Sequence, residues 1–543
     1  MTDATSSSLP VLPRTPPPRG DLTRVPVLGR FLRWKHARTA LQILLLLLAA
    51  VIVVDGLLGP QRAPENTAGV APWIQWRGLV VLALLVFGNL FCMACPFMLP
   101  RRLAKRLLPA DRAWPSWLKA KWLALGLLVA FFWAYEALDL WASPWLTAWL
   151  VVAYFAAAFV IDGFFKGAAF CKYACPIGSF HFVNSLASPG EVRVRDPAVC
   201  ASCETKDCIA GRHETDPRTG ERRLVQSGCE LWLYQPRKVG NMDCTFCLDC
   251  VQACPYDNVG LMARVPGREL VKDRWRSGIG RFTARPDILA LAMALVFLAL
   301  LNAAGMIRPM ETVRSVLGAV LGTGSEVVVW TAIMVLGLGV VPVTLLAGAG
   351  ALSRRLARTD LPTRHVVLRM AFGLVPVGFA MWVAHYAFHF LGSGLNLVPV
   401  VHRGAVDLGL AAGPPDWSLG PVLPGDWLLP LELIALEIGL LGSLVLLYYL
   451  ARDTFTTARA AFRGFLPWAL LAVVLAGAGS WIMTQPMAMR GMMMPGMEMD
   501  GPGMEMDGPG MEMEPDMEME GHRGHRMDTD TPAQGHEMDG SHR

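Results

Sequence analysis

Long apolar runs alternate with polar segments along most of the chain. Nine of these runs are about 18–25 residues long and carry no charge near their centres. A helix is favoured for each run, because it pairs every backbone N–H and C=O group inside lipid. The predicted spans are 39–57, 78–95, 122–141, 145–163, 286–307, 326–349, 367–392, 428–450 and 465–484. The pattern therefore predicts an all-α polytopic membrane protein with about nine transmembrane helices.

Polar segments divide these spans into regions. Residues 1–38 are rich in proline and arginine, and we expect a disordered cytoplasmic arm. A four-helix membrane region (39–163) and a five-helix membrane region (286–484) flank a polar, cysteine-rich insertion at 164–285. Residues 485–543 form a low-complexity tail that is expected to be disordered.

The distribution of basic residues predicts the orientation of the spans. With the N-terminus in the cytoplasm, the inner segments hold 40 of the 49 Lys and Arg residues and the outer segments hold 9. Cytoplasmic loops carry such an excess of positive charge. The chain is 53% hydrophobic and only 17% charged, which argues against a soluble enzyme. We expect a multi-pass protein of the bacterial cytoplasmic (inner) membrane, with residues 164–285 in the cytoplasm and the tail in the periplasm.

The most specific motif is CTFCLDCVQACP, which contains Cys244, Cys247, Cys250 and Cys254 followed by Pro255. The C-x2-C-x2-C-x3-C-P spacing is that of bacterial ferredoxins, whose thiolates bind a [4Fe-4S] cluster. Disulfides are disfavoured on a cytoplasmic face, and zinc sites usually have ligands in looser pairs. The motif therefore predicts a [4Fe-4S] cluster in a small inserted ferredoxin-like domain.

A second cysteine set precedes this motif. Cys200, Cys203 and Cys208 have C-x2-C-x4-C spacing, and Cys229 follows. A second [4Fe-4S] cluster is the favoured interpretation, and zinc is the alternative. In two-cluster ferredoxins the fourth cysteine of each run binds the other cluster, so Cys229 and Cys254 could be exchanged.

Two further cysteine pairs lie at the predicted inner ends of spans. FCMACP contains Cys92 and Cys95, and FCKYACP contains Cys171 and Cys175. Their four thiols could form one metal site or two redox-active pairs. The alternative is that they are small buried residues that stabilise helix ends.

The FCKYACPIG motif followed by the cluster motifs resembles the NapH/NosR-type membrane iron–sulfur proteins and, more distantly, the FixG/CcoG-like proteins. The resemblance covers about residues 78–262. It implies electron transfer linked to the quinone pool, or maturation of periplasmic copper or molybdenum enzymes. The first pair departs from the pattern, since it reads C-x2-C-P rather than C-x3-C-P.

His385 and His389 are four residues apart in the seventh predicted span and share one helix face. Ionisable groups within a bilayer are costly and suggest function. Quinol proton transfer, a haem ligand and a copper site are the functional interpretations. A polar cluster hydrated by interfacial water is the alternative.

The tail holds most of the remaining candidate ligands. It repeats PGMEMDG, and 16 of the 27 methionines lie from Met483 onward. Thioether sulfur suits Cu(I), and imidazole also suits Cu(II). The candidate copper ligands are Met497, Met499, Met504, Met506, His522 and His525. An inert repeat is the alternative.

Together these patterns predict a membrane-bound iron–sulfur electron-transfer protein with two [4Fe-4S] clusters. It would link a cytoplasmic donor or the quinone pool to a periplasmic acceptor, with copper as a candidate acceptor and with quinone or haem as candidate carriers. Its activity could be that of a quinol dehydrogenase or a metal reductase component. The expected partners are the lipid bilayer, redox proteins or quinone, and a periplasmic copper protein; nucleic acid is not expected. The alternative is a copper-handling or metalloenzyme assembly factor whose clusters reduce or sense metal.

Overall fold

A computed structural model describes residues 20–487 of the chain, and these residues are mostly helical. Nine long apolar helices occur among them. In chain order they are α1 (Ala37–Leu58), α2 (Thr67–Val86), α3 (Trp122–Ala137), α4 (Pro144–Phe164), α5 (Pro286–Ala304), α6 (Glu326–Ala357), α7 (Thr363–Asp407), α8 (Gly425–Thr454) and α9 (Ala458–Met483). Eight of these nine in the described part of the chain are long and apolar enough to cross a membrane. The prediction of an all-α polytopic membrane protein is confirmed.

Helix α3 is shorter than the predicted span 122–141. It has 16 residues, which corresponds to about 24 Å, whereas a hydrocarbon core measures about 30 Å. The helix ends where Asp139 adopts a left-handed conformation with a φ of 43°. This turn shortens an apolar run that hydropathy alone would continue.

Helix α2 is displaced from the predicted span 78–95. It begins at Thr67 and ends at Val86, and the chain then turns at Gly88, which has a φ of 114°. A separate short helix, Leu90–Ala94, carries the first cysteine pair. The displacement brings Arg77, predicted in an outer loop, into an apolar helix.

The predicted disordered arm is ordered from residue 20 onward. Helix Pro26–Arg33 precedes α1. Arg24 forms an ion pair with Asp257 at 3.0 Å, and Asp21 accepts a hydrogen bond from the Arg195 guanidinium at 2.8 Å. These contacts with residues 164–285 order a segment whose composition favoured disorder.

All four strands of the described residues belong to the cysteine-rich insertion. Strand β1 (Gly190–Val194) pairs antiparallel with β4 (Val259–Ala263), and β2 (Arg212–Thr215) pairs antiparallel with β3 (Arg222–Gln226). Shorter helices connect these elements and the spans. They include Met98–Leu107, Phe170–Ala174, Pro176–Asn184, Pro197–Ala201, Asp207–Ala210, Asp249–Ala253 and Arg308–Leu321.

The hydrophobic core lies around α5 and α7. These two helices are the most enclosed of the nine, and α7 packs against α5, α8 and α9. Helices α1 and α4 instead leave much of their apolar surface outside the protein; Leu44, for example, is 63% exposed. An apolar surface of this kind is suited to lipid.

Candidate functional site

All twelve cysteines have free thiols, and they fall into three sets of four. The distal group is Cys200, Cys203, Cys208 and Cys254. The middle group is Cys229, Cys244, Cys247 and Cys250. The membrane group is Cys92, Cys95, Cys171 and Cys175.

The distal group joins the second cysteine set to the last cysteine of the ferredoxin-type motif. The side-chain Nδ2 of Asn258 donates to Cys200 Sγ at 3.3 Å, and its backbone N–H donates to Cys254 Sγ at 3.3 Å. Burial, together with the charges that Cys254, Cys200 and Cys203 would carry, raises the pKa of Cys208 to about 12. Cys254 therefore lies with Cys200, Cys203 and Cys208.

The middle group contains Cys229, which comes from the second cysteine set, in place of Cys254. Burial raises the pKa of the Cys250 thiol well above its usual value, and charge on Cys229 and Cys244 acts in the same direction. Burial likewise raises the pKa of Cys247, whose neighbours include Cys229 and Cys250. The backbone N–H of Leu233 donates to Cys229 Sγ at 3.4 Å. Cys229 thus lies with the first three cysteines of the ferredoxin-type motif.

The distal and middle groups adjoin each other. The backbone N–H of Cys229 donates to the carbonyl oxygen of Cys208 at 3.0 Å. Helix Asp207–Ala210, which carries Cys208, packs against helix Asp249–Ala253, which carries Cys250. The arrangement therefore resembles two neighbouring four-thiol sites with one cysteine exchanged between them.

The membrane group surrounds a small cavity of about 50 Å³ that all four of its cysteines line. Cys171 lies in a π-helical turn, Phe170–Ala174, and such turns are frequent at functional sites. Burial raises the pKa of Cys95 to about 12 and that of Cys175 to about 11. The two cysteine pairs, about 80 residues apart in the sequence, thus line one cavity.

Buried ion pairs connect the membrane and middle groups. Arg101 pairs with Glu230, and Arg38 pairs with Glu230 at 3.5 Å and with Asp249 at 2.8 Å. Burial opposes ionisation of Glu230, but the two guanidiniums lower its pKa to about 2. These charges tie α1 and helix Met98–Leu107 to the cysteine-rich insertion.

The distal and middle groups each offer four sulfur donors, the number and type that a four-iron cluster uses. In residues 20–487, no group of three or more His, Cys, Asp or Glu side chains is arranged to hold one metal ion. A zinc ion needs its sulfurs at about 2.3 Å from a single point, whereas a cubane holds its thiolates at separate corners. Four thiols with N–H donors to sulfur are the ligand set that such a cluster uses.

The two predicted histidines are buried within α7. Their ring centroids are 4.9 Å apart, and neither ring nitrogen of His385 has a hydrogen-bond partner among the described residues. His385 is fully buried and His389 is 4% exposed. The pair is therefore enclosed by protein.

Sequence reasoning missed Arg77, which lies near these histidines. Its guanidinium carbon lies 4.6 Å from the ring centroid of Trp73, 4.3 Å from that of Tyr135 and 5.2 Å from that of Tyr386. Stacking on aromatic rings stabilises a cation in an apolar setting. Its signal in the sequence is a single charge within the apolar stretch 67–86.

A larger apolar cavity of about 210 Å³ lies among α1, α2, α3 and α4. Arg77 and Tyr386 line it, and so do Phe91, Phe97 and Ile177, which also line the membrane-group cavity. The cavity therefore extends from the Cys-Pro motifs to the arginine within the bilayer. No local pattern in the sequence indicated it, because its walls come from separate helices.

The remaining predicted ligands lie outside the described residues. They are Met497, Met499, Met504, Met506, His522 and His525. The copper interpretation of the tail stays a prediction.

No family model, no curated protein and no solved structure matches this chain.

Proposed function

We propose that the protein transfers electrons in the membrane through two [4Fe-4S] clusters on its inner face, held by the distal and middle groups. The observation that carries the proposal is the grouping of Cys254 with Cys200, because the sulfurs of both accept hydrogen bonds from Asn258, while Cys229 lies with the first three cysteines of the ferredoxin-type motif. Two-cluster ferredoxins exchange their fourth cysteines in this way. The short helices and the β1–β4 pair around these cysteines agree with a ferredoxin-like insertion.

A bound cubane supplies a one-electron couple with little change in geometry. The chain holds the thiolates and stabilises their negative charge. Asn258 donates two hydrogen bonds to distal-group sulfurs, and Leu233 donates one to a middle-group sulfur. Such bonds, together with burial, set the reduction potential. Burial is greater in the middle group, where Cys250 is 4% exposed.

A carrier is needed between the inner-face clusters and an acceptor on the far side, because the hydrocarbon core is about 30 Å thick. The apolar cavity beside the membrane group suits a lipid-soluble quinone. Arg77 lines this cavity and has donors for a quinone oxygen, and Tyr386, whose ring lies 5.4 Å from that of His385, lines it as well. This agrees with the resemblance to NapH/NosR-type proteins and with an inner face rich in basic residues.

Metal analysis tests the proposal directly. The full-length protein is purified anaerobically, iron, acid-labile sulfide, zinc, copper and haem are quantified, and EPR spectra are recorded during a redox titration. We expect at least about eight irons per chain and reversible cubane signals. Cys247→Ser and Cys203→Ser should each remove about four irons, whereas Ser202→Ala, in the same loop as Cys203, should remove none. Zinc without iron would contradict the proposal.

Copper handling is the second candidate, and it is favoured by the methionine-rich tail. Deletion of residues 488–543 would then lower the copper bound per chain and leave the iron unchanged. Equal copper binding with and without the tail would contradict it.

A further inference from the structure

The membrane group has no counterpart in the ferredoxin-type motifs, and its site is built from two separate segments. Cys92 and Cys95 come from helix Leu90–Ala94 and its end, and Cys171 and Cys175 come from the π-helical turn and its end. All four thiols line one cavity of about 50 Å³. The site thus has the same number and type of donors as each of the other two groups.

The backbone of the membrane group repeats that of a proposed cluster ligand. Cys254, before Pro255, has φ −65° and ψ 114°. Cys95 has φ −56° and ψ 120°, and Cys175 has φ −73° and ψ 116°; each also precedes a proline. Proline restricts the preceding residue to such extended angles, so the backbone leaves each helix end in a similar way. The Cys-Pro motif is therefore one structural element used three times.

The sulfurs also receive similar hydrogen bonds. Cys175 Sγ accepts from the backbone N–H of Gly178 at 3.2 Å, as Cys254 Sγ accepts from that of Asn258 at 3.3 Å. A Cβ atom at Gly178 would lie 2.9 Å from the carbonyl oxygen of Cys171 and 3.5 Å from Cys175 Sγ. Glycine therefore keeps the approach to these two cysteines open.

The membrane group lies next to both the middle group and the larger apolar cavity. Cys244 of the middle group lines the same small cavity. On the other side, Phe91, Phe97 and Ile177 separate this cavity from the larger apolar one. The membrane group therefore lies between the proposed clusters and the proposed quinone cavity.

We propose that Cys92, Cys95, Cys171 and Cys175 hold a third four-iron cluster, which passes single electrons between the middle-group cluster and a quinone in the apolar cavity. The inference rests on the proposed function. One electron oxidises one cluster and reduces the next, and no bond is made or broken at the four thiolates. The buried side chain of Lys121 and the partly buried side chain of Lys172 also line the cavity, and both pair with Asp243 in the same lining.

Iron stoichiometry and spin counting on the anaerobic full-length protein test the inference. We expect about twelve irons per chain and three spin-½ signals on titration with dithionite. Cys92→Ser and Cys171→Ser should each lower the iron by about a third and remove the same one signal. Met93→Leu is the matched control, because Met93 lies in helix Leu90–Ala94 between Cys92 and Cys95 but does not line the cavity. It should keep all three signals.

The outcomes separate this inference from the function on which it rests. About eight irons and two signals in the wild-type protein, unchanged by Cys92→Ser, would overturn the third cluster and leave the two-cluster proposal standing. The wild-type spin count decides the question even if the cysteine variants fail to accumulate. Protein without iron would overturn both proposals.

Discussion

The thiol region, which comprises the distal, middle and membrane groups, and the buried histidine region of α7 solve the same problem in different ways. Both bury polar or reactive groups, but the thiols receive donors from nearby backbone, such as Gly178 N–H on Cys175. His385 has no hydrogen-bond partner within the described residues, and the Arg77 guanidinium lies over the rings of Trp73, Tyr135 and Tyr386. A group left unpartnered at this cost is a candidate for reversible contact with a ligand or proton.

The comparison also explains why one region was easier to identify from sequence. The proposed cluster ligands come largely from one short loop. Two residues separate Cys244 from Cys247, and two separate Cys247 from Cys250. Arg77, Tyr135 and Tyr386 come from three helices that are far apart in the chain. The cysteine loop can be recognised from local spacing in the sequence, whereas the cluster around Arg77 forms only when the helices pack together.

The largest expected effect concerns the pairing within the thiol region. Cys254→Ser should remove about four irons and the same EPR signal as Cys200→Ser, because both sulfurs accept from Asn258. Cys250→Ser should remove a different signal. If Cys254→Ser and Cys250→Ser eliminated one common signal, the assignment of Cys254 to the distal group would be wrong.

The second-largest effect should be a slower reaction with quinol after a change at Arg77, with the cysteine groups unaffected. Arg77→Met removes the charged donor from the apolar cavity, and loss of a hydrogen bond to a charged group costs about 1.5–3 kcal/mol. Reduction of the clusters by a short-chain quinol should slow by roughly 10- to 100-fold, while iron content and dithionite reduction stay unchanged.

Arg314→Met is the control for that variant. Arg314 lies in helix Arg308–Leu321 and pairs with Glu326, away from the residues that line the cavity. Its quinol rate should equal that of the wild-type protein. Equal loss in both variants would show that the slow rate comes from general damage to the membrane region.

A smaller effect should follow from removing one donor to sulfur. Asn258→Leu deletes the Nδ2 bond to Cys200 and keeps the backbone bond to Cys254. Loss of about 1 kcal/mol of stabilisation of the reduced cluster lowers its potential by roughly 40 mV. Redox titration by EPR would detect the change in the distal signal only. A shift of the signal that Cys250→Ser removes, with no shift of the signal that Cys200→Ser removes, would contradict the assignment of Asn258 to the distal group.

The smallest expected effect is a loss of stability at acid pH, caused by the ion pairs that connect the membrane and middle groups. Arg101 and Arg38 hold the pKa of Glu230 at about 2, below its usual 4.5. Its contribution to stability is therefore present above pH 4.5 and is lost as the pH falls toward 2. Thermal unfolding of the full-length protein across this range should show the loss, and Glu230→Gln should reduce it. An identical acid profile in Glu230→Gln would exclude Glu230 as the cause.

Several boundaries illustrate what periodicity and hydropathy could predict. Span 39–57 corresponds to Ala37–Leu58, because its apolar run ends at clear polar flanks. Span 78–95 is displaced, because a hydropathy window excludes Arg77, whereas the fold covers that charge with aromatic rings. Segment 20–38 is ordered because distant acidic partners such as Asp257 pair with it. Each difference depends on contacts between residues far apart in sequence.

The sequence alone determined the membrane class, through the length and apolarity of its runs, and the iron–sulfur candidates, through the spacing of cysteines on short loops. These are local properties, because a helix or a ligand loop satisfies its own geometry. The tertiary structure decided which thiols share a group, that the two Cys-Pro pairs meet, and that Arg77 and Tyr386 line an apolar cavity. Those facts depend on the packing of helices against one another, for which no single segment carries the information.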